Sequence, residues 1–191
     1  MAGRSDDNDP HPRDAPVRAE PADASRVSGR HCRVSGRPVR LADERKPQAL
    51  LVAIEAEREA AARLRESYAS TNVVTVLGDA TAMAFDDGSF DSAGCFTMLH
   101  HVPSSAAQNR LLGEVLRVLR PGGALIGSDG LPSDDRHRFH EADTYNPVEP
   151  GTLITRLQTI GFDRITVNVD GTLRFIAHKP ADDPGSLTHG R

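Results

Sequence analysis

The chain is short of several things, and each shortage removes a class of protein. Only two of its 191 residues are cysteines, Cys32 in a basic polar stretch and Cys95 inside an apolar run. Two such thiols do not make a disulfide framework, and they suit a reducing cytoplasm. No stretch of the sequence approaches the run of about 20 apolar residues that crosses a bilayer, and its charged start lacks the apolar core of a secretory signal. Basic residues are not in excess: 23 Lys and Arg stand against 27 Asp and Glu, for a net charge of −4. No nucleic-acid surface and no membrane partner is indicated. The expectation is a cytoplasmic protein of one domain, long enough to bury a core if most of it folds.

Apolar residues are also scarce, at 38%, and the deficit falls at one end. Residues 1–47 are dominated by Arg, Asp, Pro, Ser, Gly and Ala, with Pro10, Pro12, Pro16, Pro21 and Pro38 spread through them. They show neither a helical nor a strand period and cannot bury enough apolar surface to offset the entropy of ordering. This segment reads as disordered or atypical, and 181–191 as a disordered tail; residues 48–180 form the expected domain.

Order begins with the apolar run Ala49 to Ile54, a strand buried on both faces that ends at Glu55. Ala56 to Tyr68 is rich in helix formers, with Ala60, Leu64 and Tyr68 along one side. Val73 to Leu77 predicts a second buried strand, stopping at Gly78-Asp79. Phe90 to Leu99 predicts a central strand, because helical signals resume only after Pro103. Ser104 and Ser105 can cap the next helix, whose buried side carries Leu111, Leu112, Val115, Leu116 and Val118-Leu119. Arg120 suits the dipole of its last turn, Pro121-Gly122-Gly123 ends it, and Ala124 to Gly127 is the next strand. Pro150 to Ile160 reads as a helix closed by Gly161-Phe162, and Arg164 to Val169 with Thr172 to His178 as a hairpin about Asp170-Gly171. The order implies an α/β fold, a doubly wound, mostly parallel sheet with an antiparallel C-terminal hairpin.

These residues resemble the class I S-adenosylmethionine-dependent methyltransferases in their small bacterial form. The resemblance rests on Val52-Ala53-Ile54-Glu55, Gly78-Asp79-Ala80, Phe90-Asp91, Thr97 to Val102 and Leu119-Arg120-Pro121-Gly122-Gly123, in that order along residues 48–180. It implies a Rossmann-like seven-stranded sheet with S-adenosylmethionine across the carboxyl ends of the first four strands. Glu55 would accept from the ribose diol, Asp79 from the adenine amino group, and the Ala80 amide would donate to the ring. Phe96 and Thr97 would pass the methionine portion through backbone groups. Each has a plainer reading as well: Glu55 as a solvated junction charge, Asp79 as a turn residue, Phe96 and Thr97 as core.

His100-His101 could orient or deprotonate an acceptor, or be structural. His137 and His140, with Glu141 and Asp143, have a spacing that could hold a metal on a helix, but no further ligand is marked and no metal is expected. Residues 138–150 read instead as a substrate-facing insert.

The departure from the family lies upstream of Glu55, where a complete member has a first strand, a Gly-x-Gly-x-Gly turn and a helix. In this chain Gly29 and Gly36 are too far apart and neither follows an apolar strand, so the first strand is expected to be missing and a truncated or frame-shifted gene product is suggested. Two function classes follow: methyl transfer from S-adenosylmethionine to a small-molecule acceptor, or a non-catalytic remnant or interaction protein with impaired cofactor binding. A nicotinamide oxidoreductase ranks behind both, since it gives no reason for Gly78-Asp79 or the Leu-Arg-Pro-Gly-Gly turn.

Overall fold

Two apolar runs joined by an Ala- and Glu-rich helix form the first βαβ unit: β2 (Leu50–Glu55), α1 (Arg58–Ser67) and β3 (Val73–Leu77). The structure, a computed structural model, describes residues 31–36, 50–133 and 144–182. β2 and β3 pair in parallel, and α1 buries Ala60, Ala61 and Leu64 against them. A second unit follows, with β4 (Phe90–Phe96), α2 (Ser105–Val118) and β5 (Leu119–Asp129), and β4 again runs parallel to β5. α3 (Pro150–Ile160) leads to β6 (Asp163–Val169) and β7 (Leu173–His178), an antiparallel hairpin whose second strand closes on β5. The sheet order is β3-β2-β1-β4-β5-β7-β6, with β1 spanning His31–Gly36, so β3 is added outward from β2 toward one edge and β5 outward from β4 toward the other, and such a reversal of strand order marks the crevice at which open α/β sheets bind ligands. Right-handed crossovers toward opposite edges put α1 on one face and α2 with α3 on the other.

The slot expected to lack its strand is filled. β1 (His31–Gly36) lies between β2 and β4 and is antiparallel to both, His31 standing opposite Glu55 and Gly36 opposite Leu50. A gap there would leave two rows of backbone groups unpaired, and a strand of either direction can satisfy them. Leu51 to Ile54 are therefore paired on both sides, with β1 and with β3. The remaining residues of 1–47 lie outside the described set.

The boundary between α2 and β5 also differs from the expectation. β5 begins at Leu119, so Leu119-Arg120-Pro121-Gly122-Gly123 is a bulged strand entry rather than a helix terminus, with pairing to β4 irregular between Phe90 and Ser92. Gly122 takes φ 77°, and its N–H donates to the Lys179 carbonyl while the Lys179 N–H returns to Gly123. Arg120 pairs with Asp91, and the Lys179 ammonium instead supplies the cation at the end of α2, donating to the carbonyls of Arg117 (3.2 Å) and Leu119 (2.7 Å).

Ser104 caps α2 as its type predicts, its hydroxyl accepting from the Ala107 N–H at 3.1 Å. α3 ends at Gly161, φ 117°, where the N–H groups of Gly161 and Phe162 both reach the Leu157 carbonyl. The core lies between the sheet and the α2–α3 layer. Leu111, Leu112, Val115 and Val118 from α2, Leu153 and Leu157 from α3, and Leu125 and Phe175 from the sheet are all buried, each contributing about 1.5–3 kcal/mol of burial free energy.

Candidate cofactor site

Glu55 ends β2 and is 1% exposed, although a carboxylate rarely tolerates such burial without hydrogen bonds. One is supplied locally: the chain turns so that the Glu57 N–H donates to Glu55 Oε1 at 2.9 Å. At the end of the neighbouring strand, the Gly78 N–H donates to the Glu55 carbonyl, which brings Asp79 alongside. Asp79 forms a tight turn of its own, Oδ1 accepting from the Thr81 N–H (2.8 Å) and Oδ2 from the Thr81 hydroxyl (2.9 Å). A carboxylate has about four acceptor positions, so this turn orients Asp79 and leaves capacity for a ligand donor.

Glu55, Asp79 and Ala80 line one cavity of about 190 Å³, together with Ile54, Glu57, Thr81, Met98 and His101. The loop after Thr81 is held by α2. Arg117 donates to Glu114, to the carbonyls of Met83 and Phe85, and to Asp87, while the Met83 N–H donates to Glu114 Oε2 at 2.7 Å. The Arg117 hydrogen bond holds the Glu114 carboxyl below its usual range, against burial, which pushes it up. Hydrogen bonds to Glu114 and Asp87 in turn raise Arg117.

Phe96 and Thr97 do not line this cavity. Phe96 is 44% exposed and stands with Ile126 and Ile176 on the far face of the sheet, because alternation along β4 turns Cys95 into the core and the next residue out. Thr97 has φ 48°, an unusual backbone for a β-branched residue, and its N–H donates to the Ser128 carbonyl at 2.8 Å. That bend ends β4 early and turns Met98, buried, and His101 toward the cavity. A 3-10 turn, Leu99–His101, replaces the predicted end of the strand.

Next to the cavity, His100 is buried and pairs through Nδ1 with Asp129, also buried, at the end of β5. Asp129 further accepts from the backbone N–H groups of His100 (3.2 Å) and Gly130 (2.7 Å). Sequence reading passed over Asp129. Its one signal was a carboxylate beside a glycine at a strand end. Gln108, fully buried, donates to the Leu99 and Asn146 carbonyls, and the Asn146 N–H donates to the His100 carbonyl at 2.7 Å. The Arg156 guanidinium, its pKa lowered by burial, completes the network at Gln108 Oε1. Tyr145 packs edge-on to His100, so the part of the predicted insert from 144 onward does meet the histidine pair. His137, His140, Glu141 and Asp143 lie outside the described residues; among those described, no cluster of metal ligands occurs.

With this geometry in place, comparison with known proteins is decisive for the family. A profile described as "Methyltransferase domain" matches residues 32–127, half of the chain. The chain belongs to this methyltransferase family. Over 60 residues it is 41% identical to the 2-methyl-6-phytyl-1,4-hydroquinone methyltransferase of a Synechocystis strain, a match covering 31% of this chain and 18% of that protein. Over 60 residues it is 43% identical to phthiotriol/phenolphthiotriol dimycocerosates methyltransferase 1 of Mycobacterium ulcerans, covering 31% and 21%. The matches thus span about a fifth of the length of these relatives.

The fold is similar to that of an S-adenosylmethionine-dependent methyltransferase from Methanosarcina mazei, with TM-score 0.56 and 20% identity over 69% of this chain and 82% of that one. It is also similar to Haemonchus contortus phosphoethanolamine N-methyltransferase 2 in complex with S-adenosylmethionine, with TM-score 0.53 and 14% identity over 66% and 42%. This is the Rossmann-like methyltransferase fold expected from the motif order.

The donor set suits the nucleoside part of S-adenosylmethionine: a buried carboxylate for a diol, a preorganised second carboxylate for an exocyclic amine, and apolar walls from Ile54, Met98, Val102 and Leu111. For the amino-acid part the fit is poor. The described lining residues include no Lys or Arg, and the last residue of β1, Gly36, stands opposite Leu50 rather than Glu55.

Proposed function

We propose that the chain transfers the methyl group of S-adenosylmethionine to a small-molecule acceptor. The observation that carries this reading is the convergence of Glu55 and Asp79 in one cavity at the carboxyl ends of two adjacent parallel strands. Glu55 accepts the ribose hydroxyls, Asp79 accepts from the adenine amino group, and the Ala80 N–H donates to the ring.

When bound, the cofactor supplies an electrophilic methyl group on a sulfonium. The chain's part is then alignment and proton handling, because an in-line nucleophile already gains much of the rate from being held in place. Asp129 fixes the His100 ring through Nδ1, which orients Nε2 for a proton transfer, and His101 stands at the cavity itself. The acceptor enters beside residues 97–101, where Tyr145 and Asn146 pack against His100.

Calorimetric titration of the folded protein with S-adenosylmethionine and S-adenosylhomocysteine tests the reading. Binding on the order of micromolar is expected, weakened about tenfold by Glu55→Gln and lost in Asp79→Ala. Absence of heat from folded protein overturns the reading and favours a non-catalytic remnant.

A further inference from the structure

The chain has two cysteines, and the sheet sets them opposite one another. In the antiparallel pair of β1 and β4, Cys32 is the register partner of Cys95, with Val34 opposite Ala93 two residues on. Residues directly opposite on antiparallel strands share a face and have α-carbons about 4.5–5.5 Å apart. A disulfide needs α-carbons about 4.4–6.8 Å apart, so this register admits the bond with only a small closing of the strands.

The two thiols differ in their surroundings. Cys95 is a buried thiol in the core, and its Sγ donates to Met98 Sδ at 3.6 Å. A thiol so enclosed is slow to meet an oxidant from solution. Cys32 follows Arg30 and His31 in the sequence and precedes Arg33, and neighbouring cations favour the thiolate, the form that attacks a disulfide. Cys32 is therefore the attacking thiol and Cys95 the resolving one.

We propose that Cys32 and Cys95 form a reversible disulfide that fastens β1 between β2 and β4. With a low-molecular-weight disulfide such as glutathione disulfide as oxidant, the Cys32 thiolate attacks its S–S bond and releases one glutathione thiolate. The Cys95 thiolate then attacks the Cys32 sulfur of the mixed disulfide and releases the second. The protein gives up two protons and two electrons, and glutathione disulfide is reduced to two glutathione thiols. In reducing surroundings the reverse exchange opens the bond again. The bond closes a loop of about 60 residues that carries Glu55 and Asp79, and such closure removes entropy from the unfolded chain. It also ends the S–H donation to Met98, a residue of the cavity wall.

Equilibration of the full chain in glutathione buffers of graded redox ratio, quenched by alkylation and read by peptide mass spectrometry, tests the proposal. An intramolecular link between the Cys32 and Cys95 peptides is expected, opened again by excess reduced glutathione. The thermal midpoint of the oxidised chain should lie at least about 5 °C above that of the reduced chain. Cys32→Ser should abolish the link and the dependence of the midpoint on redox ratio. Both thiols persisting under oxidising buffer, links between separate chains only, or a smaller rise in the midpoint would each overturn the proposal.

Discussion

The Asp129 carboxylate receives His100 twice, once from the ring at Nδ1 and once from the backbone N–H at 3.2 Å, with both residues buried. The contact joins the ends of β4 and β5 across 29 residues of sequence. It places a preoriented imidazole beside the cavity that Glu55 and Asp79 line.

Asp129→Ala should be strongly destabilising. It leaves the His100 ring, the His100 N–H and the Gly130 N–H without their shared acceptor, and an unsatisfied buried donor costs about 1–3 kcal/mol. Urea unfolding should show a loss of about 3 kcal/mol at unchanged slope. A loss below about 1 kcal/mol would mean that water replaces the carboxylate and that the pair is not a fixed unit.

Gly127 faces the ring of Phe175 across the β5–β7 pair, and a β-carbon there would overlap that ring. Gly127→Ala should therefore cost about 1–3 kcal/mol through overpacking. Adding Phe175→Leu should recover part of that cost, so the double-mutant cycle should show coupling of at least about 0.5 kcal/mol. Simple additivity would contradict the contact.

The Arg117 clamp makes a pH prediction. Glu114 is held below its ordinary 4.5, first by its hydrogen bond to Arg117, so its contribution to stability is present above that value and is lost as pH falls through the folded-state pKa. Arg117→Met should flatten the acid limb of a stability-against-pH curve below about pH 5. It should also loosen residues 83–87, read as faster amide exchange. An unchanged acid limb would show that Glu114 is not the group responsible.

Thr97, at φ 48°, stores backbone strain where β4 meets the site. A β-branched residue in this region costs about 1–2 kcal/mol that glycine does not. Thr97→Gly should raise the thermal midpoint in spite of the added chain entropy, or at least leave it unchanged. A clear fall would show that the threonine side chain makes up the difference.

Local pattern went far with this chain. Val73–Leu77 and Pro150–Ile160 occur as their composition predicts, and Ser104, Gly161 and the Asp170-Gly171 turn sit where capping and turn chemistry put them. Such features depend on neighbours within a few residues, so sequence order carries them. Glu55 and Asp79 were legible for the same reason, since a strand-end carboxylate is marked by the apolar run before it.

What the sequence by itself determined, then, was the kind and order of the elements and the two carboxylates at the crevice. Only the tertiary structure decided the direction of β1, the outward face of Phe96 and the meeting of His100 with Asp129. The reason is physical. Backbone hydrogen bonding accepts a strand of either direction, period-two alternation does not say which face receives a helix, and residues 29 apart meet only when the sheet that carries them has formed.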